Sequence, residues 1–272
     1  MIVAALLAAA LSAYAVAWLL QLRSFRVGSD PDRSAPTRLT LAGAGLHAAG
    51  LAMFWVVYRA PPLVGFGPAA ATLGLGFTVV LLITSRALDR RTAGLLVLPA
   101  AMLVLAAALL AGIEPVAPTT GARTVWFVGH VAFVLAGYSM LFLGSVAAAM
   151  YLLQFRALKR RDFGNVFRAF PSLESLDRMN AIALAGGLAA LIIGLVTGWS
   201  FALTFGRGVA ITDRDVGFGL LTAAAYGAAL VPRLSPAGHG PRVARVTLLA
   251  LAVCAVTFAL LRLFSPAREF FL

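Results

Sequence analysis

Three histidines are the residues of this 272-residue chain best suited to chemistry, and each stands in a different setting. An imidazole carries a proton near neutral pH or bonds a metal through either ring nitrogen. His130 lies close to the start of a hydrophobic run, with Trp126 four residues before it and Phe133 three after it, so all three fall on a similar face of a helix. Gly137 and Gly144 recur below it at heptad spacing. An imidazole flanked by flat rings above a glycine groove is a candidate axial ligand for a planar iron macrocycle, with His130 as the metal-binding residue. The same residues also read as an interfacial His-Trp belt over a helix-packing seam. On residues alone the two readings stand level.

His47 sits near the middle of another apolar run, where an unsatisfied imidazole is costly and should face the bundle interior. Gly43 and Gly50 share its face and leave a shallow groove. A polar contact between helices is the expected role, and a ligand or relay in a buried cavity is the alternative. His239 lies in Ser235-Pro236-Ala237-Gly238-His239-Gly240-Pro241, a turn-rich stretch expected to be solvated. The single cysteine, Cys254, cannot form an intrachain disulfide. The sequence contains no Walker-type glycine loop, zinc spacing or hydrolase nucleophile motif.

The elements that position these residues are membrane helices. With 61% hydrophobic residues, 12% charged residues and a mean hydropathy of +0.95, the chain is too apolar for a soluble globule. Eight runs, each near the ~20 residues needed to cross a bilayer, are read at 2–22, 39–58, 68–85, 93–113, 125–153, 179–204, 216–232 and 246–264. The expectation is an all-α polytopic bundle forming one integral membrane domain over 1–272. The first run has no basic region before it and no small-residue cleavage site after it, so it should remain as a span.

Basic residues set the orientation, because lysine and arginine accumulate in cytoplasmic loops. The segments 23–38, 86–92, 154–178 and 233–245 hold most of the 22 basic residues. The alternate loops and the two termini hold only Arg59, Arg123, Arg207, Arg214, Arg262 and Arg268. Both termini, and with them His130, are therefore expected on the outer side. The net charge of +12 is spread over short loops beside hydrophobic spans, which suits anionic lipid rather than nucleic acid. All ten carboxylates fall in loops or at span edges, which counts against an ion-driven transporter.

Two further segments carry patterns. Gln154-Phe155-Arg156-Ala157-Leu158-Lys159-Arg160-Arg161 reads as the most basic loop, and Leu173, Leu176 and Met179 recur as one face of a short amphipathic helix on the cytoplasmic surface. Gly194-Leu195-Val196-Thr197-Gly198 is a small-xxx-small pattern that predicts close helix packing.

Taken together, the eight spans, His130 opening the fifth, Gly137-Tyr138 below it, Tyr151-Leu152-Leu153-Gln154 running into Lys159-Arg160-Arg161, Pro171-Ser172-Leu173-Glu174-Ser175-Leu176-Asp177-Arg178, and Thr197-Gly198 resemble the cytochrome c assembly membrane family. The likeness is to its CcsA/ResC-type haem-handling proteins and is greatest for the HemX-type branch. It runs weakly along the whole chain and is specific mainly from about 126 to 198. The resemblance implies haem presented at the outer face by a tryptophan-rich loop ending in Trp-Asp-Pro, external histidine ligands and a further histidine in a membrane span. His130 matches the first external histidine.

The chain then departs from that pattern. Only Trp199 remains of an aromatic platform in the stretch from Trp199 to Asp215, and no Trp-Asp-Pro is present. Leu230-Val231-Pro232-Arg233 and Phe264-Ser265-Pro266-Ala267-Arg268-Glu269 stand where the other two histidines would be. A bis-histidine site needs imidazoles on both sides of one iron. His47 is a poor partner for His130, being deeper by about 10 Å at ~1.5 Å rise per residue. The resemblance thus implies a non-enzymatic accessory protein of haem or cytochrome c biogenesis in the bacterial inner membrane. Haem would be bound by His130, contacted by Trp126 and Phe133, with His47 on a deeper path. Its partners would be membrane lipid, haem and a cytochrome c assembly or haem-biosynthesis protein. The alternative is a structural or regulatory subunit without cofactor that docks a cytoplasmic partner through its basic loops.

Overall fold

The computed structural model describes residues 1–27, 34–84, 90–114, 125–161, 164, 170–204, 214–234 and 240–264. Eight helices in this set are long and apolar enough to cross a membrane. They are α1 (Ile2–Val27), α2 (Ala35–Tyr58), α3 (Phe66–Thr84), α4 (Arg90–Ala111), α5 (Val125–Lys159), α6 (Leu173–Thr204), α7 (Arg214–Leu230) and α8 (Pro241–Phe264). The protein is therefore an all-helical, multi-pass membrane protein, because helices close every backbone hydrogen bond inside the segment.

Local sequence sets the helix ends. Pro36 lies in the first turn of α2, Pro241 opens α8, and in both places the missing proline N–H falls where no intrahelical acceptor exists. Ser172 caps α6 by accepting the Ser175 backbone N–H at 3.2 Å. At the end of α4 the chain turns through Gly112 with φ +91°, a left-handed conformation that glycine adopts without a Cβ penalty.

The helices pack as two halves. In the first, α1 lies on α2 and α4, and α3 lies on α4. In the second, α5 and α6 form the most extensive contact, with α7 against α6 and α8, and α8 against α5. The halves meet where α3 lies on α5: Phe77 and Phe142 stack at 4.3 Å, and Gly76 lets the Ser139 side chain approach. The shallow groove expected beside Gly43 and Gly50 is filled, because the Tyr14 ring and Leu7 of α1 occupy it.

Two boundaries differ from the sequence reading. Residues 154–159 are not loop but the last turns of α5, which is 35 residues long. At ~1.5 Å per residue this helix far exceeds a ~30 Å hydrocarbon core, so its charged end continues beyond the apolar zone. The segment from Leu173 is likewise the start of the 32-residue α6 rather than a separate surface helix. Its amphipathic face is as expected: Leu176 and Met179 are buried while Glu174 and Arg178 are exposed. That face packs on the bundle and carries the helix onward without a break.

Candidate functional site

His130 sits one turn into α5, at the end of the bundle where α6 finishes. Helices α5 and α6 approach closely along a seam of glycines. A Cβ on Gly137 would lie 2.9 Å from the Leu191 backbone N and 3.0 Å from the Gly187 carbonyl oxygen. Gly144 packs against Ala183, Gly187 receives Leu141, and Gly194 receives Val134. The groove under His130 is therefore filled by α6 and forms a packing seam. A flat ligand at this end has to lie on the rim.

The His130 ring closes the top of that seam. Its Nδ1 donates to the Gly194 carbonyl oxygen at 2.6 Å, and Gly198 lies flat against it, since a Cβ there would be 2.5 Å from Nδ1 and Cε1. The same carbonyl accepts the Thr197 hydroxyl at 2.9 Å. A carbonyl cannot donate, so the proton resides on Nδ1 and the lone pair on Nε2. A backbone carbonyl that fixes the tautomer and ring plane in this way is the usual support of a metal-ligating histidine. His130 is half-buried, whereas Trp126 and Phe133 are exposed at 56% and 42%. The structure thus gives one oriented imidazole and two rings open to the surroundings. It fits a single axial nitrogen ligand to haem at the rim.

His47 is held elsewhere. It is fully buried in the first half, with Nδ1 3.3 Å from the Tyr14 hydroxyl of α1 and its Cε1 facing Gly74 of α3. The Ala71 backbone also lies against the ring. Its Nε2 makes no hydrogen bond of full geometry among the described residues, and the Ala71 backbone is a polar group within reach of the ring. The named partners of His130 are on α6 and those of His47 on α1 and α3, so the structure does not bring the two together. Among the described residues no group of three or more His, Cys, Asp or Glu side chains could hold a metal ion. His239, the 205–213 part of the outer loop and the segment from Ser265 lie outside the described residues.

Sequence reasoning missed one polar cluster at the opposite, basic end. Arg233, in the short 3-10 turn after α7, donates to both carboxylate oxygens of Asp177 at 3.0 Å. It also donates to the Asp177 carbonyl oxygen at 3.1 Å and to Asn180 Oδ1 at 2.9 Å. Asn180 in turn donates to the Gly144 carbonyl oxygen at 2.8 Å and to Thr247 Oγ1 at 3.4 Å. Asp177 lies in the second turn of the 32-residue α6, at its basic end, and its network ties α5, α6, α7 and α8 together. The signal in the sequence was a charge of opposite sign 56 residues earlier.

Comparison with known proteins agrees with these elements. A 73-residue stretch is 33% identical to "Protein HemX" of Brevibacillus brevis, covering 25% of this chain. The match spans only 27% of that relative's length. The model of the cytochrome c assembly protein family matches residues 65–266. That range begins just before α3 and includes the whole α5–α6 seam, while Tyr14 and His47 on α1 and α2 precede it. Because the match runs through α3 to α8, including the seam that orients His130 and the Asp177–Arg233 network, the chain belongs to the cytochrome c assembly protein family.

Proposed function

We propose that this chain is an accessory membrane protein of cytochrome c or haem biogenesis that retains or passes haem at the rim of the α5–α6 seam. The observation that carries this reading is the His130 Nδ1 bond to the Gly194 carbonyl, which leaves Nε2 as a preoriented lone pair. Haem bound there would supply an iron centre for the nitrogen to ligate. His130 holds the imidazole plane, Gly198 sets its rotation by leaving no room beside it, and Trp126 and Phe133 present exposed aromatic surface on the same helix. No catalytic step is assigned to the chain's own residues.

By the distribution of basic residues, the loops near Arg156, Arg233 and Arg242 face the cytoplasm and the His130 end faces outward across the bacterial plasma membrane. The local identity with "Protein HemX" and the family match support the biogenesis role.

The test is the Soret spectrum of protein purified in detergent from haem-replete cells. The wild type is expected to show a band that His130→Ala loses. A wild type purified colourless that retains no haem through gel filtration after incubation with it would remove the haem reading. It would leave a second one, favoured by the exposed Arg156, Lys159, Arg160 and Arg161 where α5 ends: a cofactor-free subunit docking a cytoplasmic partner.

A further inference from the structure

Helix α4 carries a gap in its own hydrogen bonding that a neighbouring helix fills. Pro36, Pro68 and Pro241 stand in the first turns of their helices, where the missing N–H deprives no intrahelical acceptor. Pro99 stands in the interior of α4. Proline has no N–H and its ring crowds the carbonyl four residues back, so the Leu95 oxygen is left without its intrahelical donor. In hydrocarbon no water replaces that donor, and another helix has to supply it.

Helix α1 does so. Trp18 Nε1 donates to the Leu95 carbonyl oxygen at 3.2 Å. One residue before Leu95, Gly94 has no Cβ, and the Gln21 side chain of α1 lies directly on the α4 backbone there. Trp18 and Gln21 are three residues apart and share a face of α1, so that face is seated on α4 at the level of the gap. Ala17 of α1 and Ala93, Val97 and Leu98 of α4 belong to the same buried core.

The residue type fits the task. Indole offers one N–H donor and no acceptor. It therefore satisfies a stray carbonyl without bringing a second unmet polar atom into the bilayer, and its rings add apolar contact beside the helix. Trp55, Trp126 and Trp199 are all exposed, whereas Trp18 is turned inward against the core.

A helix that lacks one rung of its ladder bends at that point more readily than elsewhere. We propose that Pro99 makes a hinge in α4 and that Trp18 latches it, so that α1 holds residues 90–95 and 99–111 in one orientation. Beyond the hinge, the backbone at Ala101 and Leu105 lies against Gly74 of α3, the helix on which the two halves meet. The latch comes from outside the family match, which begins at residue 65 and takes in α4 but not α1. The proposal does not rest on haem binding at His130.

A double-mutant cycle in full-length protein in detergent micelles, with unfolding followed by circular dichroism, tests the bond. Trp18→Phe removes the donor, and its effect on the unfolding equilibrium should be about threefold to tenfold larger in the wild-type background than in Pro99→Ala, where residue 99 regains an N–H for the Leu95 carbonyl. The cost of shrinking the ring is common to both backgrounds and cancels. Pulsed electron paramagnetic resonance tests the hinge, with nitroxides on Leu96→Cys and Leu110→Cys in a Cys254→Ser background; both positions are exposed and lie on opposite sides of Pro99. The distance distribution should broaden or shift in Trp18→Phe and return to that of the labelled parent when Pro99→Ala is added. Trp18→Leu removes the donor in a second way and should act alike, which guards against one variant failing to fold. Equal costs in both backgrounds, or a distance distribution that neither substitution of Trp18 alters, would overturn the proposal.

Discussion

Replacing Arg233 by alanine should destabilise the bundle more than any other single change at its basic end. Arg233 makes four hydrogen bonds to Asp177 and Asn180, two of them a fork onto one carboxylate, and the paired side chains are only 13% and 22% exposed. An exposed ion pair contributes ~0–1 kcal/mol, whereas removing one partner of a buried pair costs ~3–5 kcal/mol because a charge is left uncompensated. The residual exposure places Arg233→Ala at the low end of the second range, about 3 kcal/mol, or on the order of a hundredfold in the unfolding equilibrium. The double variant Asp177→Leu with Arg233→Leu should cost less than Arg233→Ala alone, since no charge is then stranded. Unfolding in mixed detergent–dodecyl sulfate micelles, followed by tryptophan fluorescence, measures both. A loss below about 0.5 kcal/mol for Arg233→Ala, or a double variant whose cost equals the sum of the single leucine variants, would refute the claim that this pair locks α6 to α7.

Other expectations follow from the α5–α6 seam. Gly137→Ala puts a methyl group against the α6 backbone and should cost about 1–3 kcal/mol by the same unfolding assay, while Gly129→Ala, with open space at its Cβ, should be tolerated. Gly198→Ala should leave the fold intact but turn the His130 ring off the Gly194 carbonyl, which haem titration would record as weakened binding relative to wild type. Thr197→Val keeps the shape but removes the second donor to that carbonyl, and haem affinity should fall less than in Gly198→Ala.

Hydropathy made the architecture legible, because eight apolar runs of bilayer length leave little other choice. The two misplaced boundaries have a common cause. Arginine, lysine and glutamine signal loop in a membrane reading, yet they are good helix formers, and α5 continues through Arg156 to Lys159 once it leaves the hydrocarbon. The glycine pattern around Gly137 and Gly194 foretold close packing and also left open a ligand groove; only the position of α6 distinguishes them. His130 was visible as a histidine near a helix start, but its orienting partner is a backbone carbonyl 64 residues away, which no side-chain pattern encodes. The Tyr14–His47 contact and the Asp177–Arg233 pair are equally long-range, and each joins residues that look ordinary alone.

Chemical rescue of the axial position tests the central claim most directly. His130→Gly protein, incubated with haem in detergent and freed of unbound haem by gel filtration, should retain no Soret band, and the same incubation with imidazole present should restore one that elutes with the protein. A Soret band undiminished in His130→Gly, or one that imidazole does not restore although wild type binds haem, would contradict His130 as the ligand.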